Sequence, residues 1–236
     1  METDERATFR RGVVSYVLRG GRMTAGQQRA WRREWPRLGR DVAALADGPL
    51  DVDAWFGRHA PIVLEIGSGM GETTAALASA APEVNYLAVE VYPPGLAQLL
   101  MRAEEAGLAN LRLLRGDAVD LLRDHVPPGA LAEVRIFFPD PWPKKRHHKR
   151  RLVQPEFVGL VASRLSMGGR LHLATDWENY AEQMLAVCSA RPELRNAYPD
   201  WAPRPSWRPV TKFESRARQE GRASFDLIYE RVGEPG

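Results

Sequence analysis

Ile62-Val63-Leu64-Glu65-Ile66-Gly67-Ser68-Gly69-Met70-Gly71-Glu72 joins a short apolar run to a glycine-rich turn, and a helical pattern follows. That succession is how an open α/β sheet presents a nucleotide-like ligand at the carboxyl end of a strand. Glycines there let the backbone approach the ligand and adopt positive φ without a steric penalty. The same texture continues downstream. Short apolar runs near 62–66, 84–90, 111–115, 133–138 and 170–175 alternate with helical stretches near 72–81, 94–107, 118–124, 154–165 and 177–189. Strands alternating with helices predict βαβ units and a parallel, doubly wound sheet. Ser224 to Glu230 alternates like a half-buried terminal strand, whereas 191–209, rich in Pro and Trp, reads as irregular.

Upstream, residues 1–60 are Arg-rich, carry Trp31, Trp35 and Trp55, and show no strand-like run. Thr24-Ala25-Gly26-Gln27 has capping-box spacing and predicts a helix running to Trp35, stopped by Pro36. The expected organisation is an Arg-rich amino-terminal extension, 1–60, and one α/β domain, 61–236. A chain of 236 residues with 44% hydrophobic and 27% charged residues suits that plan and excludes wholesale disorder. The single cysteine, Cys188, excludes intrachain disulfides and Cys-based zinc sites, so no metal is expected and a reducing compartment fits. No apolar run approaches the roughly 18 residues of a membrane span, and the first residues lack the order of a signal peptide. A cytoplasmic protein, with no membrane partner, is the expectation.

The residues around the glycine turn narrow the ligand. A dinucleotide fingerprint would place a third glycine where Glu72 stands, and an acid at a helix start competes with a pyrophosphate for the positive end of the dipole. That disfavours a nicotinamide-dependent oxidoreductase. Glu65, ahead of the glycines, suits a sulfonium or ammonium ligand. Glu90, ending the second strand, can accept both ribose hydroxyls. Those requirements describe S-adenosyl-L-methionine. Glu65, Gly67, Gly69, Gly71 and Glu90 thus resemble the first two motifs of class I methyltransferases. Asp117, directly after the third strand, resembles the motif whose acid faces the adenine amino group; the alternative is a helix N-cap.

The fourth strand ends in Phe138-Pro139-Asp140-Pro141-Trp142-Pro143. Pro141 biases Asp140 away from helical backbone angles, and three prolines in five residues stiffen the segment, so the carboxylate is held at the sheet edge. The plainer reading is a Pro-rich turn with a solvent-facing acid. A basic run, Lys144 to Arg151, begins at once. The formal charge is only +3, from 33 basic and 30 acidic residues, but this run and the early arginines (Arg6, Arg10, Arg11, Arg19, Arg22, Arg29, Arg32, Arg33, Arg37, Arg40) are clustered. Clustered positive charge is the footprint of polyanion binding; a solvated face or localisation run is the alternative.

The stretch from Phe138 to Arg151 resembles the signature of bacterial tRNA (guanine-N7-)-methyltransferases. Thr175-Asp176-Trp177-Glu178-Asn179-Tyr180-Ala181, Thr211-Lys212-Phe213-Glu214, the Arg-x-Gly-x-Val stretch from Arg10 to Val14, Gly21 to Thr24, and Gln27 are similar to that family as well. The resemblance covers nearly the whole chain. It implies a doubly wound, mostly parallel, seven-stranded Rossmann-like methyltransferase sheet. It also implies methyl transfer from S-adenosyl-L-methionine to N7 of guanosine 46 in the tRNA variable loop. Glu65, Gly67, Gly69, Gly71, Glu90, Asp117 and Asp140 would then meet the donor, with Asp140 the catalytic candidate. Lys144, Asp176, Thr211, Lys212, Phe213 and Glu214 would hold the substrate. Arg146, His147, His148, Lys149, Arg150 and Arg151 would lie along RNA. Asp176 is also placed to cap a helix starting at Trp177, whose core face would carry Tyr180 and Met184, and Thr211 to Glu214 also reads as a surface capping box. A monomer or a homodimer is compatible with this pattern.

Overall fold

The computed structural model describes Ser15, Tyr16 and residues 20–233. Helix α1 (Ala25–Leu38) opens on a complete capping box: the Thr24 hydroxyl accepts from the Gln27 N–H, and the Gln27 side chain accepts from the Thr24 N–H. It does not stop at Trp35 but runs through Pro36 to Leu38. Pro36 lies in the last turn, where it forfeits one intrahelical hydrogen bond. Stacking of Trp35 on Trp31, with ring centres 4.0 Å apart, and full burial of Leu38 outweigh that loss.

Leu38 leads straight into strand β1 (Gly39–Asp41), which pairs in parallel with β4 (Leu111–Arg115). The remaining strands are β2 (Ile62–Ile66), β3 (Asn85–Glu90), β5 (Leu131–Phe137), β6 (Leu165–Thr175), β7 (Leu194–Asn196) and β8 (Phe225–Arg231). Their order is β1-β4-β3-β2-β5-β6-β8-β7, with β8 antiparallel to both its neighbours and every other pairing parallel. Among the described residues the sheet therefore has eight strands, not seven. The extra one, β1, arises in the stretch expected to hold no strand, and β7 in the stretch expected to be irregular. Three residues show no alternation, so these edges form because of what lies beside them.

Helices α2 (Val52–Phe56), α3 (Glu72–Ala80), α4 (Pro93–Glu105), α5 (Ala118–Asp124), α6 (Pro155–Arg164), α7 (Glu178–Ser189) and α8 (Lys212–Gln219) flank the sheet. Strand alternation sends Leu64, Ile66, Val134, Ile136, Leu171 and Leu173 into one core with α5, α6 and α7. Val63, Tyr86, Ala88, Leu111 and Leu113 face the other core, with α1, α3 and α4. The expected boundary near residue 60 separates no second core. Ala30 and Leu38 belong to the α3–α4 face, while Leu45, Leu50, Val52, Trp55 and Phe56 pack against the opposite one. Arg6, Arg10, Arg11, Arg19 and the stretch from Arg10 to Val14 lie outside the described residues.

Over β5, β6 and β8 the second face is ionic instead of apolar. Arg208, from the segment before α8, donates to Asp226 Oδ2 at 2.8 Å and Glu214 Oε2 at 2.9 Å, and all three are buried. His172 Nε2 lies 2.8 Å from Asp226 Oδ1, and Arg204 Nε donates to Glu214 Oε1 at 2.5 Å. A buried charge is tolerable only when paired and hydrogen-bonded. This layer pins α8 to the sheet.

Candidate active site

The chain passes from β2 to β3 and β4 on one side and returns through β5 on the other, so the strand order reverses between β2 and β5. A ligand crevice belongs at the carboxyl ends there. A cavity of about 430 Å³ lies there, with Glu65, the glycine turn, Glu90, Asp117, Asp140 and Thr211 in its wall. Ser15 and Tyr16 also line it.

The glycine turn is built for closeness. Gly67, Gly69 and Gly71 have φ of 78°, 55° and 72°. A Cβ at Gly71 would come within 2.6 Å of Leu99 on α4, and one at Gly95 would come within 2.3 Å of the Gly69 carbonyl oxygen. Gly95 therefore lets the start of α4 press against the turn. Glu72, at the first position of α3, pairs with Arg102 Nη2 at 3.0 Å, which offsets its charge without a pyrophosphate.

Glu90 is anchored by backbone amides. Its Oε1 accepts from Val91 at 2.7 Å and Tyr92 at 3.0 Å, and its Oε2 accepts from Gly69 at 2.9 Å. A carboxylate has about four lone-pair sites, so one remains on Oε2. Burial raises the Glu90 pKa, against those amides, and the nearby Asp140 charge adds to the rise. Burial also pushes Glu65 up to about 7, with Thr74 and Arg135 pulling the other way. Glu65 Oε2 is buried with no hydrogen-bond partner. A cationic ligand in the cavity would supply what that oxygen lacks, so the residues fit S-adenosyl-L-methionine. Asp117 is both N-cap and wall: its Oδ1 accepts from Val119 N–H at 2.8 Å at the start of α5, and it lines the cavity.

Asp140 sits between two strained residues. Phe138 and Trp142 have φ of 52° and 45°, a region that costs a non-glycine residue about 1–3 kcal/mol. Strain of this kind persists only where the surroundings enforce it. Phe138 N–H donates to the Ala174 carbonyl at 2.7 Å, and Arg208 lies 5.4 Å from the Phe138 ring centre. The Pro141 carbonyl accepts from Arg151 Nε at 2.9 Å, and Trp142 Nε1 donates to the Ser15 carbonyl at 3.2 Å.

Arg151 is consequently not an RNA contact. It is 1% exposed, bonds Gln183 Oε1 at 2.7 Å and Asn179 Oδ1 at 3.0 Å, and stacks over Tyr180. The rest of the basic run forms a short 3₁₀ turn, Lys145–Arg150, on which Arg146, Lys149 and Arg150 are exposed. Arg150 lies over the Trp142 ring at 4.9 Å. Desolvation, then the surrounding cations, lowers the His147 pKa. His148 Nε2 lies 3.1 Å from Arg151 Nη2, which ties this ring to the buried guanidinium.

Of the substrate candidates, Thr211 lines the cavity and caps α8, accepting from Glu214 N–H at 3.1 Å. Glu214 is no surface capping residue: it is fully buried beneath Arg204 and Arg208. Its place in the ionic layer replaces the expected substrate contact. The side chains of Lys212 and Phe213 lie outside the described residues. Lys144 is exposed at the start of the basic turn. Asp176 caps nothing, because α7 starts at Glu178 and Thr175 Oγ1 accepts from Trp177 N–H. Instead it pairs with Arg222, a residue that no pattern marked. Ser15, Tyr16 and Arg208 were equally silent; only Gly95, a glycine inside a helix after two prolines, carried a readable signal. Among the described residues, no cluster of three His, Cys, Asp or Glu could hold a metal, and no helix is long and apolar enough to cross a membrane.

A doubly wound sheet with acids and a glycine turn at its reversal point defines a class I methyltransferase. Comparison with known proteins resolves the class further. The family described as "Putative methyltransferase" matches residues 59–227. A tRNA (guanine-N(7)-)-methyltransferase of Aeromonas hydrophila is 50% identical over 231 residues, covering 97% of this chain and 96% of its own. That of Streptomyces avermitilis is 50% identical over 226 residues, covering 95% of this chain and 77% of its own. The solved 16S rRNA methyltransferase KamB shares the fold, with a TM-score of 0.57 at 15% identity over 82% of this chain and 99% of that one. The chain belongs to the tRNA (guanine-N7-)-methyltransferases.

Proposed function

We propose that guanosine 46 in the tRNA variable loop is the methylated nucleoside, with Asp140 the catalytic residue and the cytoplasm the place of action. The chain is an S-adenosyl-L-methionine-dependent tRNA (guanine-N7-)-methyltransferase. The observation that carries the reading is a rigid carboxylate, Asp140, sharing one cavity with Glu65 and Glu90 and followed directly by an exposed basic turn.

When bound, S-adenosyl-L-methionine supplies a methyl group on a positively charged sulfur. Guanine N7 carries an in-plane lone pair and no proton, so no general base is needed, and alignment supplies most of the rate. Glu65 meets the donor's positive charge. Glu90 Oε2 accepts from a ribose hydroxyl, and Asp117 faces the adenine end. Asp140 and Asp176 accept from guanine N1–H and the 2-amino group and offset the charge the purine gains. Val89, Phe137, Phe138 and Leu152 make the cavity wall apolar, which strengthens those interactions. Lys144 and Thr211 steady the nucleotide. Arg146, Lys149 and Arg150 meet phosphates, offsetting the few kcal/mol needed to draw the base from its stack.

Nucleoside mapping by mass spectrometry, after incubating tRNA with enzyme and donor, tests the assignment. N7-methylguanosine at position 46 is expected; a methyl group on another base atom refutes it.

A further inference from the structure

We propose that Arg222 occupies Asp176 as a stand-in for the guanine edge and surrenders it when the target base enters. The inference rests on the reading that Asp176 accepts from guanine. Arg222 Nε lies 3.0 Å and its Nη2 2.8 Å from Asp176 Oδ2. The N1–H, C2 and 2-amino group of guanine are themselves a guanidine fragment: two N–H donors on one edge, aimed the same way. The side chain that holds the carboxylate thus offers the same donor pattern as the base that would replace it. Lysine could not copy it, because an ammonium is a point charge without a planar fork.

The surroundings suit exchange more than permanent clamping. Side-chain exposure is 34% for Arg222 and 19% for Asp176, so the pair is reachable from solvent, unlike the buried Arg208 pairs. An ion pair this exposed shifts an equilibrium by only about two- to fivefold. The backbone is anchored: Gly221, with φ of 73°, ends α8, and the Arg222 N–H donates to the Ala217 carbonyl at 2.8 Å. Only the side chain needs to move. It would not be left bare, because Nη1 already contacts Glu220, which can keep the displaced guanidinium. Asp176 follows β6 directly, and the Ala174 carbonyl of that strand holds Phe138, two residues before Asp140. A base seated on Asp176 is therefore beside the strained turn.

The consequence is selectivity as well as gating. Adenine, which lacks both donors, cannot replace Arg222, and hypoxanthine offers only one of them.

The test uses Arg222→Ala, Arg222→Gln, Asp176→Asn and the double variant Asp176→Asn/Arg222→Ala of the full chain. Guanidinium chloride, well below denaturing concentration, is the competitor, with potassium chloride as the ionic-strength control. In both Arg222 variants, KM for tRNA should fall about two- to fivefold. Guanidinium should compete with tRNA in these variants more strongly than in wild type, and donor affinity should stay constant. In the double variant both gains should vanish. A purely structural clamp has no reason to create guanidinium sensitivity. If Asp176→Asn is defective but the Arg222 variants show a raised KM and no extra sensitivity, the stand-in role is overturned alone. If Asp176→Asn keeps wild-type kcat/KM, the guanine-binding reading of Asp176 fails and takes this inference with it.

Discussion

Asp140 is held by backbone on both sides. Its neighbours Phe138 and Trp142 carry left-handed φ, and Arg151 grips the following carbonyl. A carboxylate fixed this way loses little entropy on meeting the transition state, so its removal should fall on the chemical step. Asp140→Ala is expected to lower kcat by about 10²–10³-fold while tRNA affinity changes far less. Single-turnover rates beside equilibrium tRNA binding separate the two; unchanged turnover with weaker binding would move Asp140 to a binding role. Glu65 gives a pH signature. Its folded pKa, about 7, stands above the ordinary 4.5, so below pH 7 the free enzyme holds a proton that a cationic donor must expel. Donor affinity should therefore weaken by up to about tenfold per pH unit below 7 and level off above it. Glu65→Gln should flatten that profile in titration calorimetry. The stability sign is the reverse of the usual acid. A carboxyl raised on folding favours the native state most below about 4.5, and that contribution is lost as pH rises through 7.

Arg208 shows how a segment can be fixed by charge where a helix would ordinarily be fixed by apolar contact. It lies between Asp226 and Glu214, and its guanidinium is 5.5 Å and 5.4 Å from the ring centres of Phe137 and Phe138. Arg208→Met takes one ionic partner each from buried Asp226, left with His172, and buried Glu214, left with Arg204, and should cost about 3–5 kcal/mol in urea unfolding. A loss within the range of an ordinary surface substitution would show that the layer is not closed. The five central strands were readable from apolar runs, and α1 and α5 from their caps, because those signals are local. Edges β1 and β7 were not, since three residues set no period. The continuation of α1 past Pro36 depended on Trp31 and Leu38, which act through tertiary contact. The same limit explains the site. Glu65, Glu90, Asp117 and Asp140 were legible because strand ends fix where side chains go. Arg151 and Glu214 were misplaced because a basic run and a Thr-x-x-Glu spacing read alike whether their residues face solvent or turn inward.

Positive charge is divided by what it already touches. Arg33 and Arg37 share Glu34, Arg115 faces Asp41, and Arg204 and Arg208 are spent on Glu214 and Asp226. Arg146, Lys149 and Arg150 are exposed on the turn that follows Asp140, so on the proposed function phosphate contact would fall to them. Desolvation and the surrounding cations lower the His147 pKa, so its imidazole adds less to phosphate neutralisation than the arginines and Lys149 beside it. Each phosphate neutralised contributes about −0.9 to the log–log salt slope on duplex, and somewhat less on single strands. Arg146→Gln/Lys149→Gln/Arg150→Gln should flatten the slope of tRNA binding by about two to three and raise KM for tRNA. Donor affinity should hold, because Glu65, Glu90 and Asp117 are untouched. Arg151→Gln should behave oppositely, keeping the slope but lowering stability and kcat through the loosened Pro141 carbonyl. Binding measured over a range of salt for the two variants and wild type decides the matter. A solvated loop leaves all three slopes alike, whereas a slope lost only with Arg151 would mean that the buried guanidinium had turned outward to meet RNA.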